Sequence, residues 1–267
     1  MTPPTAAEQI LQALGIEEPG EIDLEAVAWD MGVTVRYRPL DGCEARIIGN
    51  DTRAIATINE RSAWKRQRFS LAHELGHWKY HRGRTLVCRA DEIGQHNGHA
   101  AAAERAADGF AADLLMPRYL FEPVARAYPK LTFQTVREIA HIFKTSRPAT
   151  AIRLIGGRHS TALLICHGPN GRKWFARSPD VPGRWFPRDD LDSESFAFGV
   201  LFGSKDDDAM PRKIGADAWF DRPEAGRFEV REQTIRSGDD EILTFVLIDD
   251  EPMLEECDRR PRFANRR

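Results

Sequence analysis

The sequence predicts an α+β protein whose N-terminal domain combines a small antiparallel sheet with helices and is followed by a β-rich α+β domain. Over residues 1–120, segments with helical periodicity are mixed with segments in which apolar and polar residues alternate as in strands. After Gly156 and Gly157, short β-rich runs dominate. The 267 residues, 42% of them hydrophobic, suffice for one large domain or two modest ones with real cores.

The first elements are marked by capping and turn residues. Residues 5–15 fit a short helix, and a second helix starts after Asp23, a plausible N-cap, and stops near Gly32. Three strands separated by Gly, Asn or Asp follow at Val33–Tyr37, Ala45–Ile48 and Ala54–Ile58.

Two longer helices complete the predicted N-terminal domain. One runs from about Ser62 to Tyr80 behind the sheet. The other is rich in alanine, runs from about Gly98 to Leu115, and stops at Met116-Pro117 because proline cannot continue a helix.

Residues 121–157 are predicted to be helical, with a short Lys144–Arg147 break between two helices. Pro148 suits the first turn of the second helix. The pair resembles a helix-turn-helix, but the turn glycine often found there is absent. We therefore favour the interpretation that the pair packs against the preceding domain.

Residues 158–255 form the predicted C-terminal domain. Its β-rich runs are Ala162–Cys166, Lys173–Ala176, Ala197–Phe202, Arg227–Ile235 and Ile242–Ile248. Its core is expected to include Trp174, Trp185 and Trp219, since core packing is the commoner use of such rings than a ligand pocket. The basic tail at 256–267 is expected to be disordered.

Composition excludes several classes of protein. The net charge is only −3, and acidic and basic residues are present in similar numbers. The composition therefore indicates neither a strongly basic nucleic-acid binder nor an acidic tail. The four cysteines lie far apart, which fits a reducing compartment. The N-terminal residues lack signal-peptide features and the apolar runs are too short to cross a bilayer, so we expect a cytoplasmic protein without a membrane partner.

Residues 73–77 read His-Glu-Leu-Gly-His, an H-E-x-x-H motif on a predicted helix. Four residues make just over one helical turn, so His73 and His77 project from one face and can share a metal ion. Glu74 lies one residue round the helix, where it can reach a metal-activated water. This arrangement is typical of a zinc peptidase, so the domain expected at residues 1–120 is a zincin-like metallopeptidase domain.

Two histidines leave a tetrahedral zinc short of one protein ligand. His81 follows the motif, but the spacing and glycine turn of a metzincin are missing. His96 and His99 lie on a loop punctuated by glycine and asparagine. Glu104 on the alanine-rich helix is the solution that we favour.

Asp108 stands one turn after Glu104 on the same helical face, like the Glu-x-x-x-Asp pair of thermolysin-like enzymes. Its carboxylate would bond the second nitrogen of a metal-bound histidine and fix the imidazole tautomer. The small residues at 101–103, 106 and 107 would let this helix approach the motif helix closely.

The blocks at residues 68–77 and 104–117 resemble, in order and spacing, the ImmA/IrrE family of metallo-endopeptidases. Members of that family cut a helix-turn-helix transcriptional repressor at one site, which releases stress-response or mobile-element genes. The resemblance implies such a repressor as the partner of this chain.

By the same resemblance, His73, His77 and Glu104 are the metal ligands and Glu74 is the general base, as the residues indicate on their own. The cofactor is Zn²⁺, with Mn²⁺ also compatible with two histidines and a glutamate. A peptide substrate is expected to lie as an added strand along the run before the motif helix. That run comprises Ala54, Ile55, Ala56, Thr57 and Ile58.

Two rival functions remain. One is a DNA-binding or sensor regulator with an inert peptidase-like domain, which the helical pair and the basic tail would support. The other is a broad degradative protease, which the lack of a secretion signal and a disulfide framework disfavours. Residues 158–255 are expected to bind the substrate or sense a signal.

Overall fold

Each half of the chain is built around a sheet of its own in the computed structural model, which describes residues 3–82, 86–88, 101–238 and 240–255. One unit comprises residues 1–129 and 135–153, and the other comprises residues 130–134 and 154–267. Both units combine helices with strands, so the predicted α+β class is confirmed.

The first unit contains most of the helices. Its helices are α1 (Ala6–Ala13), α2 (Leu24–Asp30), α3 (Trp64–Tyr80), α4 (Ala101–Leu115), α5 (Arg118–Arg126), α6 (Phe133–Ile142) and α7 (Arg147–Gly156), the last two of which extend partly into the second unit. Its strands are β1 (Val33–Arg38), β2 (Ala45–Gly49), β3 (Ala54–Asn59) and β4 (Leu86–Cys88).

The first two helices begin at the capping residues that the sequence marks. The Thr5 side chain accepts a hydrogen bond from the Glu8 amide in a capping box, and Asp23 accepts from the amides of Glu25 and Ala26. Gly32 ends the second helix with a φ of +78°, and a Cβ there would lie 2.8 Å from the Thr52 carbonyl oxygen. A larger residue would be strained and crowded at this position.

The first sheet has the order β1-β3-β2-β4. Strand β2 pairs antiparallel to β3 as expected, and β4, which was not predicted, pairs antiparallel to β2. Strand β1, however, pairs parallel to β3, with Val33 opposite Ala54. The expectation of a wholly antiparallel sheet is therefore wrong. The chain passes from β1 to β2 and returns through β3, which inserts between them and so runs in the same direction as β1.

A half-buried ion pair joins two elements that are far apart in the sequence of the first unit. The Arg118 guanidinium lies 3.1 Å from the Glu8 carboxylate, and the Arg118 amide donates to the same group at 2.6 Å. Burial opposes ionisation of Glu8, but its bonds to Arg118 and Thr5 hold its pKa below the usual value. Helix α1 is thereby fixed to the start of α5.

The helical pair α6 and α7 is joined by a turn in which Lys144 adopts φ 56°. A lysine thus takes the left-handed conformation for which glycine is usual. Arg153 of α7 lies 2.9 Å from Asp113 of α4 and donates to the Met116 carbonyl oxygen at 2.7 Å. These contacts attach α7 to α4, as the packing interpretation of the pair expects.

The second unit is built on an antiparallel sheet of order β6-β5-β9-β8-β7. Its strands are β5 (Ala162–Gly168), β6 (Gly171–Arg177), β7 (Arg212–Gly215), β8 (Glu229–Gly238) and β9 (Glu241–Leu247), and its short helices are α8 (Phe196–Leu201) and α9 (Glu251–Leu254). Trp185 and Trp219 are buried in its core as predicted, whereas Trp174 is half-buried.

Helix α8 replaces the strand predicted at Ala197–Phe202. The Ser195 hydroxyl accepts from the Phe198 amide, and the buried Glu232 carboxylate accepts from the Ala197 amide at 2.6 Å. Both bonds satisfy amides of a helical first turn, so they outweigh the strand preference of the phenylalanines. No helix in the described residues is long and apolar enough to cross a membrane.

Candidate metal centre

The motif helix α3 carries the candidate site into the interior of the first unit. Residues 70–78 are all buried, including His73, Glu74 and His77, none of which is more than 1% exposed. The Trp78 indole donates to the Met31 carbonyl oxygen at 2.8 Å and so fixes α3 against the end of α2.

Gly76 sets the distance between α3 and α4. A Cβ at this position would lie 2.8 Å from the Cα and 2.9 Å from the carbonyl oxygen of Ala107. Ala107 is itself completely buried. The two helix backbones therefore approach more closely than a side chain at position 76 would allow, and this approach places Glu104 and Asp108 beside the histidines.

Three potential ligand atoms meet between the two helices. Nε2 of His73 lies 2.9 Å from Nε2 of His77. The two Glu104 carboxylate oxygens lie 3.2 Å from His73 Nε2 and 3.4 Å from His77 Nε2. The predicted trio is thus brought together in space.

Asp108 supports His73 from the opposite side of the ring. The His73 Nδ1–H donates to an Asp108 carboxylate oxygen at 2.8 Å, so Nε2 is left as the nitrogen that faces Glu104 and His77. Burial lowers the pKa of His73, but Asp108, Glu74 and Glu104 together raise it above the usual value. The carboxylates around His73 therefore favour a positive charge at its imidazole ring.

His77 is kept neutral by its environment. Burial, followed by the charges of His73 and His81, lowers the pKa of His77 to about 3. Its Nδ1 lies 3.5 Å from Nδ1 of His81, on the side of the ring away from Glu104. The structure thus places His81 behind a ligand candidate, and the two loop histidines His96 and His99 lie outside the described residues.

The donor set fits a divalent metal ion. Ligand atoms about 2.0–2.1 Å from a tetrahedral zinc are separated by about 3.3 Å. The distances of 2.9, 3.2 and 3.4 Å among the three groups agree with that separation. Two imidazoles and a carboxylate accept Zn²⁺ and Mn²⁺ alike, so the donor set leaves the identity of the ion open.

The expected substrate strand at Ala54–Ile58 requires a correction. Strand β3 is central, paired with β1 along one edge and with β2 along the other. Its backbone groups are used in both ladders, so a peptide cannot add to it as a further strand. Among the described strands, the edges of this sheet are β1 and β4.

Two features of the site were not identified from the sequence. The first is the close packing at Gly76, although a glycine inside a helix is the signal that could have indicated it. The second is the position of His81, which follows His77 by one helical turn and could have been expected to contact it.

Comparison with known proteins bears on the same region. The family model described as the IrrE N-terminal-like domain, of peptidase family M78, matches residues 28–154. A solved structure named "Mycobacterium tuberculosis transcriptional regulator" superposes with a TM-score of 0.60 and 14% identity, over 91% of this chain and 75% of that one. At this identity the likeness is one of fold. No curated protein sequence matches the chain.

Proposed function

Residues 28–154 belong to the IrrE N-terminal-like domain family, and from this premise we propose that the chain is a metal-dependent endopeptidase. Its substrate is a helix-turn-helix transcriptional repressor, which it cuts at one site. Cleavage then releases stress-response or mobile-element genes from repression.

The convergence of His73, His77 and Glu104 is the observation that carries this proposal. The three side chains come from two helices, and their ligand atoms lie within 3.4 Å of a neighbour in the trio. In this proposal they hold the ion, and Asp108 orients His73 through its bond to Nδ1. A bound divalent ion supplies Lewis acidity, which acidifies water and polarises a carbonyl group.

Glu74 is the proposed general base. It is completely buried and directly follows His73, whose pKa its negative charge helps to raise. Its carboxylate takes a proton from the attacking water as the new C–O bond forms at the scissile carbonyl. It then gives that proton to the amide nitrogen as the C–N bond breaks, so the products are a carboxylic acid and an amine.

The test is cleavage of purified candidate helix-turn-helix repressors from the same genome. Purified chain loaded with Zn²⁺ or Mn²⁺ is expected to yield two fragments, and Glu74→Gln is expected to lower the rate by a factor of about 10²–10⁴ or more while the metal stays bound. Glu60→Gln, an exposed glutamate before the same helix, is the matched control. Full activity in the Glu74 variant would exclude this mechanism.

Metal analysis of the purified protein identifies the working ion in the same preparation. We expect about one equivalent of zinc or manganese per chain, because the site offers one set of three ligands. A preparation that cleaves the repressor after exhaustive chelation would contradict a metal-dependent reaction.

The alternative is a DNA-binding regulator whose peptidase-like domain is inert. The solved structure of similar fold is named a transcriptional regulator, and α6 and α7 form a helical pair. Against it, α7 contains two basic residues, Arg147 and Arg153, and the second is paired with Asp113. A salt-dependent mobility shift of duplex DNA would favour this alternative.

A further inference from the structure

The second unit contains a cavity of about 660 Å³ that is unrelated to the metal centre. This volume lies within the range of about 300–1,000 Å³ that is common for small-molecule sites. Its walls come from the loop before α8, from the segment before β8, and from α9. The lining residues are Arg184, Trp185, Arg222, Pro223, Glu224, Arg227, Phe228 and Pro252.

Core contacts of Trp185 fix the wall of this cavity. Trp185 is completely buried, and its indole donates to the Met253 carbonyl oxygen at 2.6 Å. Its ring meets Phe228 edge to face at 5.9 Å and packs against Phe220 at 5.3 Å. These contacts join the loop, the segment before β8 and α9, so the cavity is formed before any ligand arrives.

The charges lining the cavity are unbalanced. Three arginines face one carboxylate, that of Glu224, which lies 2.9 Å from the Arg222 guanidinium. Arg184 donates to the backbone carbonyls of Met253 and Glu255, which are neutral groups. Within the described residues no carboxylate lies within ion-pair distance of Arg227. The lining therefore carries two positive charges in excess.

The charge balance of the cavity differs from that of the rest of this unit. Elsewhere on its sheet, cations face carboxylates: Lys173 pairs with Glu241, Lys213 with Glu229, and Arg231 with Asp249. In the cavity, by contrast, three guanidinium groups share the single carboxylate of Glu224. The local potential is positive.

We propose that this cavity binds a small organic anion that carries phosphate or carboxylate groups. Guanidinium groups match the geometry of both groups through paired N–H donors. Arg227 would bind the anionic oxygens together with the terminal N–H groups of Arg222, whose Nε donates to Glu224. Phe228 and the two prolines would contact a ring or hydrocarbon portion. Neither the family assignment nor the metal centre assigns this site.

Calorimetric titration of the full chain, at constant ionic strength, tests the proposal. The probes are ADP for a phosphate source, citrate for a carboxylate source, and adenosine as the uncharged control. We expect ADP or citrate to bind with a Kd below about 1 mM and adenosine to bind at least tenfold more weakly. Which anion binds more tightly distinguishes the two sources.

Variants then place the site. Arg227→Gln and Arg222→Gln change exposed side chains, so folding is expected to be unaffected. Each substitution is expected to lower the affinity for the anion that binds more tightly by about tenfold or more. Arg158→Gln makes the same charge change in this unit outside the cavity and is expected to leave binding unchanged. Absence of binding by both anions, or equal losses in all three variants, would overturn the proposal.

Discussion

Glu104 in the first unit and Glu232 in the second both have a carboxylate surrounded by polar groups, but the two carboxylates differ in the type of group that they contact. Glu232 accepts hydrogen bonds from the Ala197 amide at 2.6 Å, the Trp219 indole at 3.0 Å and the Thr234 hydroxyl at 3.2 Å. Glu104 instead faces the Nε2 atoms of His73 and His77 at 3.2 and 3.4 Å.

The difference lies in which groups supply positive charge. Around Glu232 the chain supplies N–H and O–H donors, so the carboxylate is stabilised by the fold itself, although burial still raises its pKa. Around Glu104 the chain supplies further electron-pair donors, which attract a cation and repel one another. A buried polar cluster of the first kind serves structure, whereas one of the second kind is suited to a ligand.

The largest expected effect is on metal affinity. Glu104→Ala is expected to lower zinc affinity about a thousandfold, more than the 10–100-fold typical of a supporting residue, because a ligand atom is lost. His81→Ala, at the back of the His77 ring, is the control and is expected to have a much smaller effect. Equilibrium dialysis measures both, and an unchanged affinity at Glu104 with a loss at His96 or His99 would move the third ligand to the loop.

Glu232→Ala is expected to act on stability instead. It deprives the Trp219 indole and the Ala197 amide of their acceptor, so we expect a loss of about 3 kcal/mol in the free energy of unfolding. Urea titration measures this loss, and Glu229→Ala, an exposed position on the same strand, is the control. A change in zinc affinity in the Glu232 variant would break the distinction between the two carboxylates.

The close approach of α3 and α4 gives a third test. Gly76→Ala is expected to destabilise the first unit by about 2 kcal/mol, since the new methyl group collides with Ala107 backbone atoms. Gly109→Ala, on α4 with open space around its Cβ, is expected to stabilise by about 0.5–1 kcal/mol through helix propensity. Thermal unfolding separates the two, and equal effects would show that packing at position 76 is unimportant.

The smallest expected effect concerns pH. Burial, and then the charge of Arg172, lowers the pKa of His167 to about 4, whereas an unfolded histidine titrates near 6.5. The unfolded state therefore takes up the proton first, so the stability that is present above pH 6.5 is lost as pH falls towards 4. Between pH 7 and 5.5 the second unit is expected to lose about 1 kcal/mol.

Hydrogen exchange of the β5 amides at both pH values measures this loss. His167→Gln removes the buried titrating group and is expected to abolish most of the difference, whereas His141→Gln, an exposed histidine, is expected to leave it in place. An unchanged pH dependence in the His167 variant would assign the acid sensitivity to other groups.

The residues of the candidate site were more predictable than the order of the strands and the helix α8. The spacing of His73 and His77, and of Glu104 and Asp108, depends on helical geometry, which a short stretch of sequence determines. The position of β3 between β1 and β2 depends instead on pairing between distant segments. Likewise, the helix at α8 depends on Glu232, an acceptor supplied from another part of the chain.

The Glu8–Arg118 ion pair has a consequence for biosynthesis, since its partners are 110 residues apart. At about 5–20 residues per second, the ribosome takes roughly ten seconds to deliver Arg118 after Glu8. During that interval α1 carries a carboxylate without its cation and an apolar face that includes Leu11 without its cover. The α1 segment is therefore expected to become a stable helix only after α4 and α5 emerge, since eight residues are too few for a stable isolated helix.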